Sequence, residues 1–307
     1  MKLSNRVLTL AICSAFTLPA MAANVDIYGK ANLSLQSSDD GDGQFTEIKS
    51  NASRIGLKGT HALNDGLSVV YKAEFQVDMD GDSDDNITDR NQYVGLKGNF
   101  GEVLLGKNDT ILKQSQGKID LFNDLNADIK NLFKGENRMS DTLTYKSPKV
   151  NGFQFAGTYI AEDDADAEDG YSVGLFYGDK GLKKSKVFAS IAVDSDVKGY
   201  DVTRATVHGK VAGFTLGAMY QNQESDDGSA EMDGYLLSAK YAVNKNVVLK
   251  GQFQAADHDG GDDLSAASIG VDYRLAKSTK LYGFYTSFDM DSAEDKDYLA
   301  VGIEYKF

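Results

Sequence analysis

Tryptophan is absent from the 307-residue chain, proline occurs twice and cysteine once. The lone cysteine, Cys13, lies in a segment with the features of a cleavable export signal. Lys2 and Arg6 precede an apolar run from Val7 to Phe16, followed by Pro19 and an Ala20-Met21-Ala22 cleavage pattern. Removing residues 1–22 leaves residues 23–307 without a thiol, so no disulfide holds the exported protein together. Cations are scarce as well. Lys2 and Arg6 leave with the signal, so 32 Lys and Arg fall to 30 against 46 Asp and Glu, a balance of −16. That sign excludes nucleic acid as a partner. Beyond the signal no stretch approaches the ~18 continuous apolar residues of a membrane helix, which excludes an α-helical membrane protein.

What the chain does have is 31 glycines, 16 tyrosines and 15 phenylalanines, together with a period of two. Val25, Ile27, Ala31, Leu33 and Leu35 alternate with Asp26, Tyr28, Lys30, Asn32, Ser34 and Gln36, which describes a strand with one apolar and one polar face. The pattern returns with Phe153, Phe155, Gly157 and Tyr159 on one face, and with Val187, Ala189, Ile191 and Val193. It persists through Leu299, Val301, Ile303, Tyr305 and Phe307. Sixteen such segments of roughly ten residues can be counted, the length that crosses a bilayer when tilted.

The connections alternate between long acidic and short neutral or basic stretches. Ser38 to Gln44, Asp78 to Asn86, Ala161 to Asp169 and Glu224 to Asp233 are of the first kind; Asn99 to Gly101, Lys210 to Gly213 and Asn244 to Asn246 are of the second. In an up-and-down barrel every second connection lies at the same end, so the pattern predicts acidic loops outside and tight turns on the periplasmic side. In lipid every backbone polar group must be satisfied internally, so strands span it only as a closed sheet. The expectation is therefore a single all-β domain over residues 23–307, a 16-stranded antiparallel transmembrane β-barrel with lipid outside and an aqueous lumen. Tyr28, Tyr159, Tyr177, Tyr241 and Tyr273 lie near strand ends and are expected to form its interfacial girdles. One connection, about 28 residues from near Asn108 to near Arg138, carries Ile119, Leu121, Phe122, Leu125, Ile129, Leu132 and Phe133. These need somewhere to pack, which predicts a loop folded inward against the wall.

The chain resembles the general porin family of Gram-negative outer membranes. The likeness rests on Val25-Asp26-Ile27-Tyr28-Gly29-Lys30, on Ala52-Ser53-Arg54-Ile55-Gly56-Leu57-Lys58-Gly59, and on Arg90 to Gly101. It continues in Gly106-Lys107-Asn108-Asp109-Thr110, in Glu136-Asn137-Arg138 and in the terminal Phe307. The resemblance implies a trimeric diffusion channel with an inward-folded third loop and wall cations facing loop carboxylates at a constriction. By motif position the wall cations are Lys30, Arg54, Arg90 and Arg138, and the loop acids Asp120, Asp124 and Asp128. Strand parity agrees for Lys30, Arg54 and Arg138, whereas Arg90 shares its parity with Val94 and Leu96. The loop departs from the enterobacterial form, lacking a Pro-Glu-Phe-Gly-Gly stretch. The family further implies that Asp297 to Phe307 is read by the outer-membrane assembly machinery, with Phe307 as the key residue, and that residues 78 to 88 latch onto a neighbouring subunit.

The function expected from this reading is passive diffusion of small hydrophilic solutes, with no catalysis. Near-neutral balance at the constriction, set against an acidic chain, points to mild cation selectivity. Asp78 to Asp85 has the composition of a calcium loop, but Ser83 and Asp89 stand where an EF-hand has Gly and Glu, so no dedicated metal site or cofactor is expected. Loosely held Ca²⁺ or Mg²⁺ at the outer loops, bridging lipopolysaccharide phosphates, is expected instead. Two other readings compete. A substrate-selective channel for oligosaccharides or an anion would need aromatic tracks or a basic lumen. A barrel hydrolase would need a nucleophile beside His258, which lies among Asp257, Asp259, Asp262 and Asp263, and no spacing supplies one.

Overall fold

A computed structural model of the protein describes residues 24–82, 84–164, 168–291 and 293–307; the expected signal lies outside them. The first strand segments are β1 (Asn24–Asp39), β2 (Gln44–Ser50), β3 (Arg54–Asn64), β4 (Leu67–Val77), β5 (Ile87–Gly98) and β6 (Gly101–Asp109). After the third loop come β7 (Arg138–Lys146), β8 (Phe153–Ile160), β9 (Gly170–Gly178), β10 (Val187–Ser195), β11 (Tyr200–Val211) and β12 (Phe214–Ser225). The remainder are β13 (Glu231–Ala242), β14 (Val247–His258), β15 (Leu264–Arg274), β16 (Thr279–Met290) and β17 (Lys296–Lys306). Neighbours pair antiparallel throughout, and β1 meets β17 in register from Lys30–Lys306 to Asp39–Asp297, so the sheet closes. Gly29 and Phe307 seal the seam, each N–H donating to the other's carbonyl at 3.0 and 3.2 Å.

Seventeen segments make sixteen wall strands because β2 and β3 lie end to end on β1. The break between them is Asn51-Ala52-Ser53, with Ala52 in the left-handed region at φ 50. Side chains bridge the interrupted ladder: Asn32 N–H donates to Ser53 Oγ at 2.9 Å and Asn32 Nδ2 donates to the Asn51 carbonyl at 3.1 Å, while Asn51 Nδ2 donates to Ser34 Oγ at 2.9 Å and Tyr282 Oη at 3.1 Å. Such an irregularity re-aims the next side chain. Here that is Arg54, whose Nε donates to the Ala52 carbonyl at 3.0 Å.

The outer face is apolar as expected: Ile191, mid-strand in β10, is 53% exposed to the surroundings. Tyr177 beside Phe153 and Tyr241 beside Phe214 ring one end, with centroids 4.9 and 4.8 Å apart. At the other end Tyr159, Tyr220 and Tyr285 donate to Asp169, Asp233 and Asp297 at 2.6, 2.5 and 2.6 Å. Tyr28 is a correction to the girdle. It shares the polar parity of Lys30, turns inward, and donates to Glu74 Oε2 at 2.7 Å.

Two further expectations change. Connection length does not alternate strictly, since residues 196–199 form a short acidic-side loop while residues 179–186 form a long, lysine-rich turn at the opposite end. Nor is the inner face polar all round. Met219, Leu236, Ala256, Ala266, Phe284 and Ala300 point inward on β12 to β17 and pack with Ile119, Phe122, Ile129, Leu132 and Phe133 of the third loop. Burying five such side chains stabilises the docked loop by on the order of 10 kcal/mol, at about 1.5–3 kcal/mol each.

If the outer face meets lipid, Ile191→Arg should cost about 2–4 kcal/mol near the bilayer midplane. Urea unfolding from lipid vesicles reads this directly. A change below about 0.5 kcal/mol, the ordinary surface value, would place that face in water.

Candidate functional site at the third loop

The third loop, residues 110–137, begins at α1 (Ile111–Ser115), capped by Thr110 Oγ1 accepting from Lys113 N–H at 3.1 Å. The helix rests on β9 to β11, with Leu112 N–H donating to Ser172 Oγ at 3.0 Å and Ser190 Oγ donating to the Ser115 carbonyl at 2.6 Å. The chain then crosses the lumen. Leu121 N–H donates to Gln252 Oε1 at 2.8 Å, and the tip reaches the opposite wall at Asp124, which adopts φ 68.

Asp124 Oδ2 lies 2.7 Å from Lys30 Nζ and 2.5 Å from Arg54 Nη2, so one carboxylate oxygen joins loop to wall. The other two expected acids hold the loop's own shape. Asp120, 9% exposed, accepts from the N–H groups of Phe122 and Ile129 at 2.9 and 3.1 Å and does not reach the open space. Asp128 accepts from Asp124 and Lys130 N–H at 2.8 and 3.0 Å, capping the single turn Ile129–Asn131 while bordering the space.

Arg90 points inward despite its parity. Between β4 and β5 the register slips, so that Ala73 faces Gln92 but Phe75 faces Asp89. The extra residue lets Arg90 and Asn91 both serve the lumen. Arg90 Nε donates to Glu74 Oε1 at 2.8 Å, and Lys72 Nζ lies 3.2 Å from the other Glu74 oxygen. Arg138 lies 2.9 Å from Asp109, which also faces Lys113 at 3.7 Å, and it hydrogen-bonds Asn91. Each wall cation therefore has a specific acid. Glu74 and Asp109 were not singled out from the sequence, although the Lys72-x-Glu74-x-Gln76 alternation places Glu74 on the lumen face.

The loop's return is latched by Arg204, which is fully buried. Its Nη1 sits 2.6 Å from Glu136 Oε1, its Nε donates to Gln221 Oε1 at 2.8 Å, and its Nη2 donates to the Lys134 carbonyl at 3.2 Å. Between loop and charged wall an open cavity of ≈ 900 Å³ remains. Eight cations border it: Lys49, Arg54, Arg90, Lys113, Lys130, Arg138, Lys180 and Lys296. Four acids do: Asp109, Asp124, Asp128 and Glu136. The lining is thus basic by four charges.

Arg204→Ala leaves Glu136 buried without its partner, a loss of about 3–5 kcal/mol that falls on the docked loop. Amide exchange of residues 129–137 should accelerate accordingly while the strands stay protected. Unchanged protection would show that the latch does not hold the loop.

Comparison with known proteins agrees with this architecture. The major outer membrane protein P.IB of Neisseria sicca is 29% identical over 221 residues, 64% of this chain and 60% of that protein, so the match spans less than two thirds of its length. Among solved structures, an anion-selective porin from Comamonas acidovorans superposes with a TM-score of 0.78 at 18% identity, covering 93% of this chain and all of that one. A trimer form of OmpT from Vibrio cholerae gives 0.73 at 18%, with the same coverage. A family profile described as Gram-negative porin matches residues 9–293. With nearly the whole chain matched, the protein belongs to the Gram-negative porin family of the outer membrane.

Proposed function

We infer that this outer-membrane channel passes small hydrophilic solutes by passive diffusion, and that its narrow region favours anions. The cavity between loop and wall carries the reading: it is lined by charges and amides, and its cations outnumber its acids by eight to four. This runs against the cation preference expected from the acidic composition. The charges nearest a passing ion decide its energy, since those beyond about 8 Å are screened at physiological salt. Asp124 does not face Lys30 and Arg54 across a gap but neutralises them in contact, which weakens the transverse field and leaves Lys130, Lys180 and Lys296 as the surplus.

The finer partners belong to the same reading. The protein works as a homotrimer, as an OmpT form does. Its acidic outer loops hold Ca²⁺ or Mg²⁺ loosely against lipopolysaccharide phosphates, an idea supported by Asp196, Asp201 and Asp226, whose oxygens lie within 4.8 Å of one another. The segment 297–307 is read by the assembly machinery. Phe307, 56% exposed beside Tyr305 on the outer face, is accessible for that purpose. Membership in a porin family supports a channel rather than a hydrolase.

Reversal potentials across a planar bilayer in a KCl gradient should show chloride preferred, and a clear potassium preference would overturn the selectivity. Asp124→Asn frees two cations and should raise the anion-to-cation permeability ratio by about two- to fourfold, from the Coulomb energy of one charge at channel distance. Phe307→Ser should lower the membrane-assembled fraction at equal synthesis; an unaltered yield removes the assembly role from that residue.

A further inference from the structure

One side of the open cavity breaks with the charge of the rest. Leu125 at the loop tip, Leu264 on β15, Phe288 and Met290 on β16 and Tyr298 on β17 border the same ≈ 900 Å³ space as Arg54, Lys130 and Lys296. Strand register sets the wall residues side by side on the lumen face. Leu264 stands opposite Met290, Phe288 opposite Lys296, and Tyr298 follows two positions along β17 on the same face. Directly opposed residues hold their Cβ atoms about 4.5–5.5 Å apart, so the Lys296 stem begins beside the Phe288 side chain. Phe288 in turn meets Tyr298 edge to face, with centroids 5.9 Å apart and planes at 90°.

This patch is the uncovered end of the apolar seam on which the third loop is docked. Deeper in that seam Phe122 and Phe284 are 0% and 3% exposed. Toward the acidic-loop end, Leu125 and Leu264 pack against the same cluster but stay only partly buried, and Met290 is only partly buried as well. The loop's own anchors leave them facing the cavity. Apolar surface kept wet in a channel forgoes the free energy of burial, which a solute with an apolar part would recover. Leu125 directly follows Asp124, so the patch adjoins the contact of that carboxylate with Lys30 and Arg54.

Lys296 supplies a polar end. Among the described residues it forms no ion pair with a carboxylate, and a lysine stem lies along apolar surface while its ammonium stays in water. Neighbouring acids hold other partners. Asp40 accepts from the Tyr298 hydroxyl, Glu47 accepts from Ser38 Oγ at 2.6 Å and lies 3.8 Å from Lys49 Nζ, and Asp124 bridges Lys30 and Arg54. Asp128 accepts the N–H groups of Asp124 and Lys130. Small-molecule sites combine an apolar floor with a few placed polar groups, and ≈ 900 Å³ falls within the roughly 300–1,000 Å³ that they span.

We propose that Leu125, Leu264, Phe288, Met290 and Tyr298, with Lys296 at their rim, form a station for aromatic carboxylates on the extracellular side of the loop tip. The station rests on the channel reading and its anion preference, and deepens them by naming a solute class. The ring displaces water from the apolar floor while the carboxylate meets the Lys296 ammonium. Neither contact is strong alone, so the solute is held briefly and released into the passage beyond. An aliphatic anion of the same charge keeps only the second contact.

Calorimetry on the purified protein in detergent, with the titration into empty micelles subtracted, tests this with four probes: phenylacetate, acetate, 2-phenylethanol and 2-phenylethylamine. Phenylacetate should bind saturably at millimolar concentration or below, roughly fivefold or more tighter than acetate, which lacks the ring, and than the alcohol and amine, which lack the negative charge. L264N/M290Q should bring phenylacetate down to the level of acetate. K296Q should bring it down to the level of 2-phenylethanol. K277Q removes equal charge from a distant turn and should leave binding within about twofold, because that charge is screened. KCl conduction by each variant reports that its barrel is assembled. Phenylacetate binding no tighter than acetate or no tighter than the amine, or unaltered in both L264N/M290Q and K296Q, overturns the proposal. Protein that conducts KCl but does not bind phenylacetate sinks the station alone, and protein that binds it but never conducts sinks the channel reading alone.

Discussion

Backbone hydrogen bonding in a medium without water is the constraint on which the rest of this protein depends. Each unsatisfied amide or carbonyl in lipid costs several kcal/mol, so the sheet can have no edge. The closure from Lys30–Lys306 to Asp39–Asp297, extended by Gly29 and Phe307, removes that edge. Where the ladder fails, at residues 51–53, side chains stand in for it on the lumen side: the Ser53 hydroxyl accepts from Asn32 N–H and the Asn32 amide donates to the Asn51 carbonyl. Once closure is met by the backbone, the outward side chains need only be apolar. The inward ones are then free to be specialised.

That freedom is used unequally round the ring. On β12 to β17 the inner wall carries an apolar patch, with glutamines beside it, that takes the third loop as a filling; on β1 to β7 it carries Lys30, Arg54, Lys72, Arg90 and Arg138 beside the open space. A loop with greasy anchors can settle only on the first side, and its tip must then face the second. The bond from Asp124 to Lys30 and Arg54 is thus a consequence of where Ile119, Phe122 and Phe133 are buried. Apolar burial provides the docking energy, and the ion pair sets the register of the tip.

Strand count and closure were legible because both follow from a period that the sequence displays, and the inward loop because its apolar residues need cover. Lys30, Arg54 and Arg138 were legible by parity, from that same period. Arg90 was not, because a bulge adds one residue to β5 and shifts parity locally, an event with no mark in the alternation itself. The loop acids show another limit. Asp120, Asp124 and Asp128 are the same residue type in one segment, yet two of them serve the loop's own N–H groups and one meets the wall, a division set by backbone turns. The apolar inner wall was visible in outline, since Tyr282, Phe284 and Phe288 put aromatics on the face that parity assigns to the lumen. Reading every inward position as polar hid it.

On the proposed anion reading, composition and selectivity part for a reason of distance. The surplus acids sit largely at the loop tips, as in Asp196, Asp201 and Asp226, beyond the ends of the strands. A tilted strand of eleven residues rises about 25 Å across the membrane, so those tips lie more than a Debye length of about 8 Å from a mid-membrane constriction. On that reading an ion entering from outside first meets an acidic rim and then a basic passage, and only the second lies where low dielectric and narrowness make charge expensive to ignore. The net charge of the chain and the sign of its preferred ion are therefore independent quantities, fixed by different residues under different screening.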